Sequence, residues 1–138
     1  MTFVQGQRVI VVDASAAIRF LEADPDWVES WRGWTAAQEM VVAPPHFAFE
    51  VANGLLLGTS VGPVGTVIAL VEKLFSTGLE VVDRGQHGIE GALRLADRHR
   101  LTVYDAAYLD LAIDVDGELA TLDAALRGAA EAEGVTLA

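Results

Sequence analysis

Val9-Ile10-Val11-Val12-Asp13-Ala14-Ser15-Ala16-Ala17-Ile18 is the stretch that decides the fold. Four β-branched residues in a row favour an extended, buried chain, and the change after Asp13 to helix-forming residues marks a strand that hands over directly to a helix. The rest of the chain repeats this alternation. Ala14 to Glu22 is expected as a helix, Asp24-Pro25-Asp26 as a break, Trp27 to Glu39 as a second helix and Met40 to Ala43 as a second strand. A third helix should start after Pro44-Pro45, since proline suits a helix N-terminus. The glycine-rich segment Gly58 to Gly65 reads as a loop. Beyond it, Val67, Leu70, Val71 and Leu74 recur at helical spacing up to Gly78.

Leu79 to Val82 is a third strand by the same criteria, and Ile89, Ala92, Leu93 and Ala96 mark a helix running to His99. Leu101 to Val103 should be extended, Asp105 to Asp114 helical, Glu118 to Thr121 a fourth strand, Asp123 to Glu133 a last helix and Val135 to Leu137 an edge strand. Strands separated by helices pair in parallel through crossovers. The expected architecture is therefore a three-layer α/β/α sandwich with a mainly parallel central sheet, formed as one domain over residues 1–138.

Composition narrows the chemistry. The chain has 138 residues, 52% of them hydrophobic, and 20 acidic against 9 basic side chains give a formal charge of −11. It contains no cysteine, which excludes disulfides, thiolate metal sites and cysteine nucleophiles. No run reaches the roughly 18 apolar residues of a membrane span, and no signal peptide is legible, so the expected location is the cytoplasm and no membrane partner is expected. An acidic surface opposes broad contact with a phosphate backbone, so any meeting with nucleic acid must be local.

Ligands of open parallel sheets gather at the carboxyl ends of the strands. Asp13 closes the first strand, Asp105 opens a helix in Thr102-Val103-Tyr104-Asp105, and Asp123 follows the fourth strand in Ala120-Thr121-Leu122-Asp123. Each taken alone is accounted for by helix capping. Glu50 differs, being the only charge on the apolar helix Phe47-Ala48-Phe49-Glu50-Val51-Ala52-Asn53-Gly54-Leu55, where a carboxylate needs water, a partner or a metal. Four carboxylates in one cleft repel one another, and a divalent cation removes that conflict. Oxygen-only donors favour Mg²⁺ or Mn²⁺ over zinc, and such a centre suits phosphodiester chemistry with a metal-bound water as nucleophile.

Val11-Val12-Asp13-Ala14-Ser15-Ala16, Phe49-Glu50-Val51-Ala52-Asn53-Gly54-Leu55, Tyr104-Asp105-Ala106-Ala107-Tyr108-Leu109-Asp110-Leu111-Ala112 and Thr121-Leu122-Asp123-Ala124-Ala125-Leu126 resemble the four acidic motifs of PIN domains, in order, with the acids 37, 55 and 18 residues apart. The closest resemblance is to VapC ribonuclease toxins of type II toxin–antitoxin systems. It implies a PIN-like fold and a Mg²⁺-dependent endoribonuclease, with Mn²⁺ able to substitute, that cuts RNA and is held inactive by a cognate VapB-type antitoxin; a homodimer is also expected. Asp13, Glu50, Asp105 and Asp123 would carry the metal-binding and catalytic roles. Ser15 and Thr121 match polar positions beside the acids, able to hydrogen-bond a carboxylate or water. Arg19, on the helix after Asp13, is the expected phosphate contact.

Other signals point elsewhere and are weaker. Gly58-Thr59-Ser60-Val61-Gly62 matches the G-x-S-x-G nucleophile elbow, but that motif needs a preceding strand where this chain has helical residues. A receiver domain needs a late active-site lysine, and Lys73, the only lysine, is mid-chain. His46 lacks the second histidine of a zinc H-E-x-x-H motif and reads as a surface or helix-start residue. Trp27, Trp31 and Trp34 share a helical face, which fits core or interface packing better than base stacking, though an antitoxin groove could use them. Arg94, Arg98, His99 and Arg100 read as a solvated helix end ahead of an RNA contact. The competing functional expectation is a non-catalytic PIN-like module that binds RNA or protein and uses its acids only as caps.

Overall fold

The computed structural model describes residues 6–58 and 62–138. Strand β1 (Val9–Val12) is buried along its whole length and lies inside the sheet, parallel to β2 (Met40–Ala43) on one side and to β4 (Glu118–Ala120) on the other. The short β3 (Glu80–Val81) pairs parallel with β2, giving the order β3-β2-β1-β4. The all-apolar run of β1 is what a strand covered by helices on both faces requires.

Two helices, α1 (Ala14–Leu21) and α2 (Pro25–Ala36), connect β1 to β2; α3 (Phe47–Leu57) and α4 (Val64–Ser76) connect β2 to β3. Helices α5 (Gly85–His99) and α6 (Val103–Asp114) lead from β3 across to β4, and α7 (Ala124–Ala132) follows β4. The first two connections step one way along the sheet and the third steps back the other way. With right-handed crossovers this reversal sends α1–α4 to one face and α5–α7 to the opposite one, in keeping with the contacts of α1 with α2, α3 and α4, and of α6 with α5 and α7. The expected α/β/α layering is therefore observed. The direction reverses between β1 and β4, so the crevice outside their carboxyl ends is the topological switch point.

Several local expectations shift. Helix α2 starts at Pro25, with Asp24 accepting from the Asp26 N–H, so the Asp24-Pro25-Asp26 signal is a helix start. Leu101 to Val103 is not a strand: Thr102 caps α6, which begins at Val103. The edge strand expected at Val135 to Leu137 reduces to one bridge between Leu137 and Leu119. Trp31 and Trp34 are buried, and Trp31 stacks on Phe20 with ring centroids 4.3 Å apart. They fill core between α1 and α2, and Trp31 also lines a cavity with Phe20, Val28, Arg32, Thr35 and Lys73. Helices α5 and α6 touch closely where Gly91 faces the Asp110 carboxylate, a contact that leaves no room for a Cβ. Asp110 is also paired with Arg84 at 2.8 Å.

Candidate active site

Asp13 leaves the end of β1 at the switch point, its N–H bonded to the Ala120 carbonyl of β4 at 3.1 Å. Its carboxylate is buried and caps α1: Oδ1 accepts from Ala16 N at 3.0 Å and from the Ser15 hydroxyl at 2.6 Å, and Oδ2 accepts from the Thr121 hydroxyl. Both hydroxyls have their directions fixed. Ser15 Oγ itself accepts from Leu122 N at 2.9 Å, and Thr121 Oγ1 from Asp123 N at 3.0 Å, so each hydroxyl proton is left to point at Asp13. These bonds tie the end of β1 to the β4–α7 turn and set Asp13 and Asp123 together. Asp123 caps α7 by accepting from Leu126 N at 3.0 Å.

Asp105 stands in the first turn of α6 and does not cap it; the Thr102 hydroxyl accepts from the Asp105 N–H at 3.1 Å. The carboxylate is thus free of the capping duty that accounts for Asp13 and Asp123. One turn further along α6, the buried Tyr108 reaches across to α3 and donates its phenol to Glu50 Oε1 at 2.5 Å. His46, at the start of α3, brings Nε2 to 3.3 Å from the same oxygen and 2.9 Å from the Tyr104 carbonyl. Both neighbours are acceptors, so Nε2 carries the proton. Glu50 is half-exposed and has two donors, which meets the cost of a charge on an apolar helix without requiring a metal.

The electrostatics report one shared cluster. Burial pushes the Asp13 carboxyl above the ordinary carboxylate range against the pull of its Ser15, Thr121 and Ala16 donors, and the charge of Asp105 adds to the rise. Burial also raises Asp105, followed by repulsion from Asp123 and, more weakly, from Glu50. Glu50 moves the other way, lowered first by its bond from His46 and then by Tyr108. Tyr108 is held far above its usual value, mainly by burial and by the Glu50 bond, with Asp13 and Asp105 contributing. It therefore remains a neutral donor.

At the carboxyl edge of β1 and β4, Asp105 feels the charges of Asp123 and Glu50 and acts on Asp13, while Tyr108 feels Glu50, Asp13 and Asp105. Among the described residues no three His, Asp or Glu side chains already stand at the spacing of a closed metal site. The fit to a cation rests on the donor set and on Asp13 and Asp105. All donors are hard oxygens, and the charged forms of these two acids are disfavoured as they stand, which a divalent cation would relieve.

The predicted basic contacts lie elsewhere. Arg19 is in the last turn of α1, about 9 Å of helix rise from Asp13, and pairs with Asp24 at 3.4 Å. Arg98 and His99 end α5, and both bond Glu133 at the end of α7. A residue missed in the sequence stands closer: Arg127, one turn after Asp123, donates to the Thr121 carbonyl at 3.1 Å. Tyr108 was missed as well, and His46 was read only as a surface or helix-start residue. Their signals were the one-turn spacings from Asp105 and Glu50, which acquire meaning only once α3 and α6 are known to face each other. The helix α3 precedes the G-x-S-x-G match, contrary to the needs of an elbow, and Ser60 lies outside the described residues.

Comparison with known proteins bears on the family and the fold. Ribonuclease VapC3 of Pyrobaculum aerophilum is 35% identical over 118 residues, 83% of this chain and 88% of that protein. Two solved structures share the fold: PAE2754 of Pyrobaculum aerophilum, with a TM-score of 0.70 at 23% identity over 91% of this chain and 83% of that one, and VapBC2 of Rickettsia felis bound to a promoter DNA fragment, with 0.72 at 12% identity over 94% and 97%. The PIN domain family model matches residues 10–132, spanning all four acids. By fold and by sequence, this chain belongs to the PIN-domain family.

Proposed function

We propose that this chain, a single domain over residues 1–138, is a Mg²⁺-dependent endoribonuclease and the toxin of a VapBC-type module, neutralised in the cytoplasm by a cognate VapB-type antitoxin. The observation that carries the reading is the electrostatic linkage of Asp105 with Asp13, Asp123 and Glu50 at the switch point. The 35% identity to a ribonuclease supports the choice of RNA, and the likeness to a VapBC structure supports an antitoxin partner.

Mg²⁺, or Mn²⁺ in its place, would supply polarisation of the scissile phosphate and activation of the attacking water. Asp13 and Asp105 are assigned as direct ligands, and Asp123 completes the set. Glu50, held ionised by His46 and Tyr108, is a weak proton acceptor and serves as a ligand or water-orienting group. Ser15 and Thr121 lock the Asp13 carboxylate, and Tyr108 locks Glu50. Arg127 takes over from Arg19 as the assigned phosphate contact, because it stands beside Thr121 and Asp123. Exposed Phe49, Leu56 and Leu57 on α3 and Val64 and Ile68 on α4 support a protein-binding face, assigned to the homodimer.

Mapping RNA ends after brief induction in cells tests the reading. Wild type should produce new ends that Asp13→Asn protein does not; equal ends from both would remove the proposed site, and no new ends from wild type would favour the non-catalytic module.

A further inference from the structure

Beside the carboxylates lies a second feature that the cleavage chemistry does not use. A cavity of about 640 Å³ opens between the start of α3, the end of β3 and the facing helices α5 and α6, walled by Pro45, Val82, Ile89, Val103 and Tyr104. Its volume falls within the roughly 300–1,000 Å³ of pockets that accept ligand-sized groups. Ile89 and Tyr104 are 59% and 64% exposed, a large apolar outlay in a chain with an acidic surface.

The cavity is continuous with the site. His46 lines it and contacts Glu50 at 3.3 Å, and Tyr104, whose ring lies 5.8 Å from that of His46, immediately precedes Asp105. A group seated against Tyr104 is therefore within one nucleotide's reach of a phosphate at the acids. The apolar walls suit a flat apolar face, and the polar residues that also line the cavity, Asp83, Arg84 and Gln86, can meet a hydrogen-bonding edge. An unpaired nucleobase has both features, and single-stranded RNA is read by stacking bases on aromatic side chains.

We infer that this cavity is a nucleobase subsite, in which Tyr104 stacks an unpaired base flanking the scissile phosphate and so contributes to the choice of cleavage position. The inference rests on the nuclease reading above and gives it a substrate class: RNA with an unpaired base next to the cut. The acids would engage the phosphate only through a bound cation, which is blind to sequence, so base preference has to come from neighbouring walls such as these.

The test is a cycle between protein and RNA. Wild-type and Tyr104→Ala proteins are compared on short oligoribonucleotides carrying a single abasic position at each site around the cut, with cleavage followed in Mg²⁺ and binding in Ca²⁺. Tyr104→Ala keeps the backbone carbonyl that His46 bonds, and circular dichroism verifies its folding; Ile89→Asp is the second variant. The expected result is about tenfold weaker binding of intact RNA by Tyr104→Ala, and one flanking position at which the abasic RNA and the variant are each weakened but their losses do not add. A 2-aminopurine at that position should be quenched by wild type and not by Tyr104→Ala. If wild type cuts RNA and the losses add at every position, the subsite is overturned and the nuclease stands. If wild type leaves RNA intact, the nuclease reading falls and takes the subsite with it. If both variants bind RNA normally but lose affinity for an apolar antitoxin peptide, the cavity is a peptide seat and the inference is overturned.

Discussion

Tyr108 donates its phenolic hydrogen to Glu50 Oε1 at 2.5 Å, joining α6 to α3 across the mouth of the sheet. The two residues are 58 positions apart in sequence, and their contact fixes the only charged side chain of α3 beside Asp105. Together with the larger influence of His46, it holds the Glu50 carboxyl below its ordinary range. Tyr108→Phe preserves the ring that fills the core and deletes only the donor. RNA cleavage should fall by about 10–100-fold, the range for partners that orient metal ligands, while the circular dichroism spectrum is unchanged. Steady-state cleavage rates of Tyr108→Phe and Glu50→Gln proteins check this; a fully active Tyr108→Phe would mean that Glu50 needs no orienting bond.

Thr121→Val replaces a buried hydroxyl by a methyl of similar shape. Asp13 loses the donor to Oδ2 and Asp123 N loses its acceptor. Leaving buried polar groups unpaired costs about 1–3 kcal/mol, so urea unfolding at pH 7 should show a lower midpoint with an unchanged slope. Activity should fall as well, since the same bonds hold Asp13 against the β4–α7 turn.

Asp105→Asn separates charge from shape. Burial and the charges of Asp123 and Glu50 raise the folded-state pKa of Asp105, so its contribution to stability is present below its unfolded value of about 4 and is lost as pH rises through the folded value. Metal-free Asp105→Asn protein should melt about 1–3 °C above wild type at pH 7, and the difference should shrink toward zero as the pH falls below 4. Mg²⁺ should reverse the order by stabilising wild type more. Differential scanning calorimetry at several pH values, with and without Mg²⁺, reads both effects.

Arg127 and Arg19 give opposite expectations. Removing one phosphate contact from a single strand lowers the slope of log affinity against log salt by about 0.7. Arg127→Gln should show that loss together with weaker RNA binding. Arg19→Gln should show neither, because its guanidinium is engaged with Asp24 at the far end of α1. Fluorescence anisotropy with labelled RNA over a salt series distinguishes them.

Much of this arrangement was legible before any coordinates. The β-branched run of β1 and the alternation that follows it carry their pattern locally, and the four acids lie at strand ends or helix starts that the pattern marks. What was not legible depends on juxtaposition. Tyr108 is one more aromatic on a buried helix until α3 is seen opposite it, and His46 has no apparent partner until Tyr104 and Glu50 converge on its Nε2. Arg19 looked close to Asp13 because sequence distance hides the direction of α1, which carries it away from the strand ends. Thr102 shows the limit at finer scale: a capping hydroxyl and an extended residue look alike in sequence, and the cap moved the start of α6 to Val103 and released the Asp105 carboxylate.

The central claim is that the four carboxylates together hold the cation with which RNA is cut, and cleavage of a labelled RNA as a function of Mg²⁺ concentration tests it most directly. Wild type should cut with saturable dependence on Mg²⁺ and stop on addition of EDTA, and Asp13→Asn and Asp105→Asn should each lose at least about a hundredfold in rate. Cleavage by either variant at the wild-type rate, or wild-type cleavage that persists in EDTA, would contradict the account.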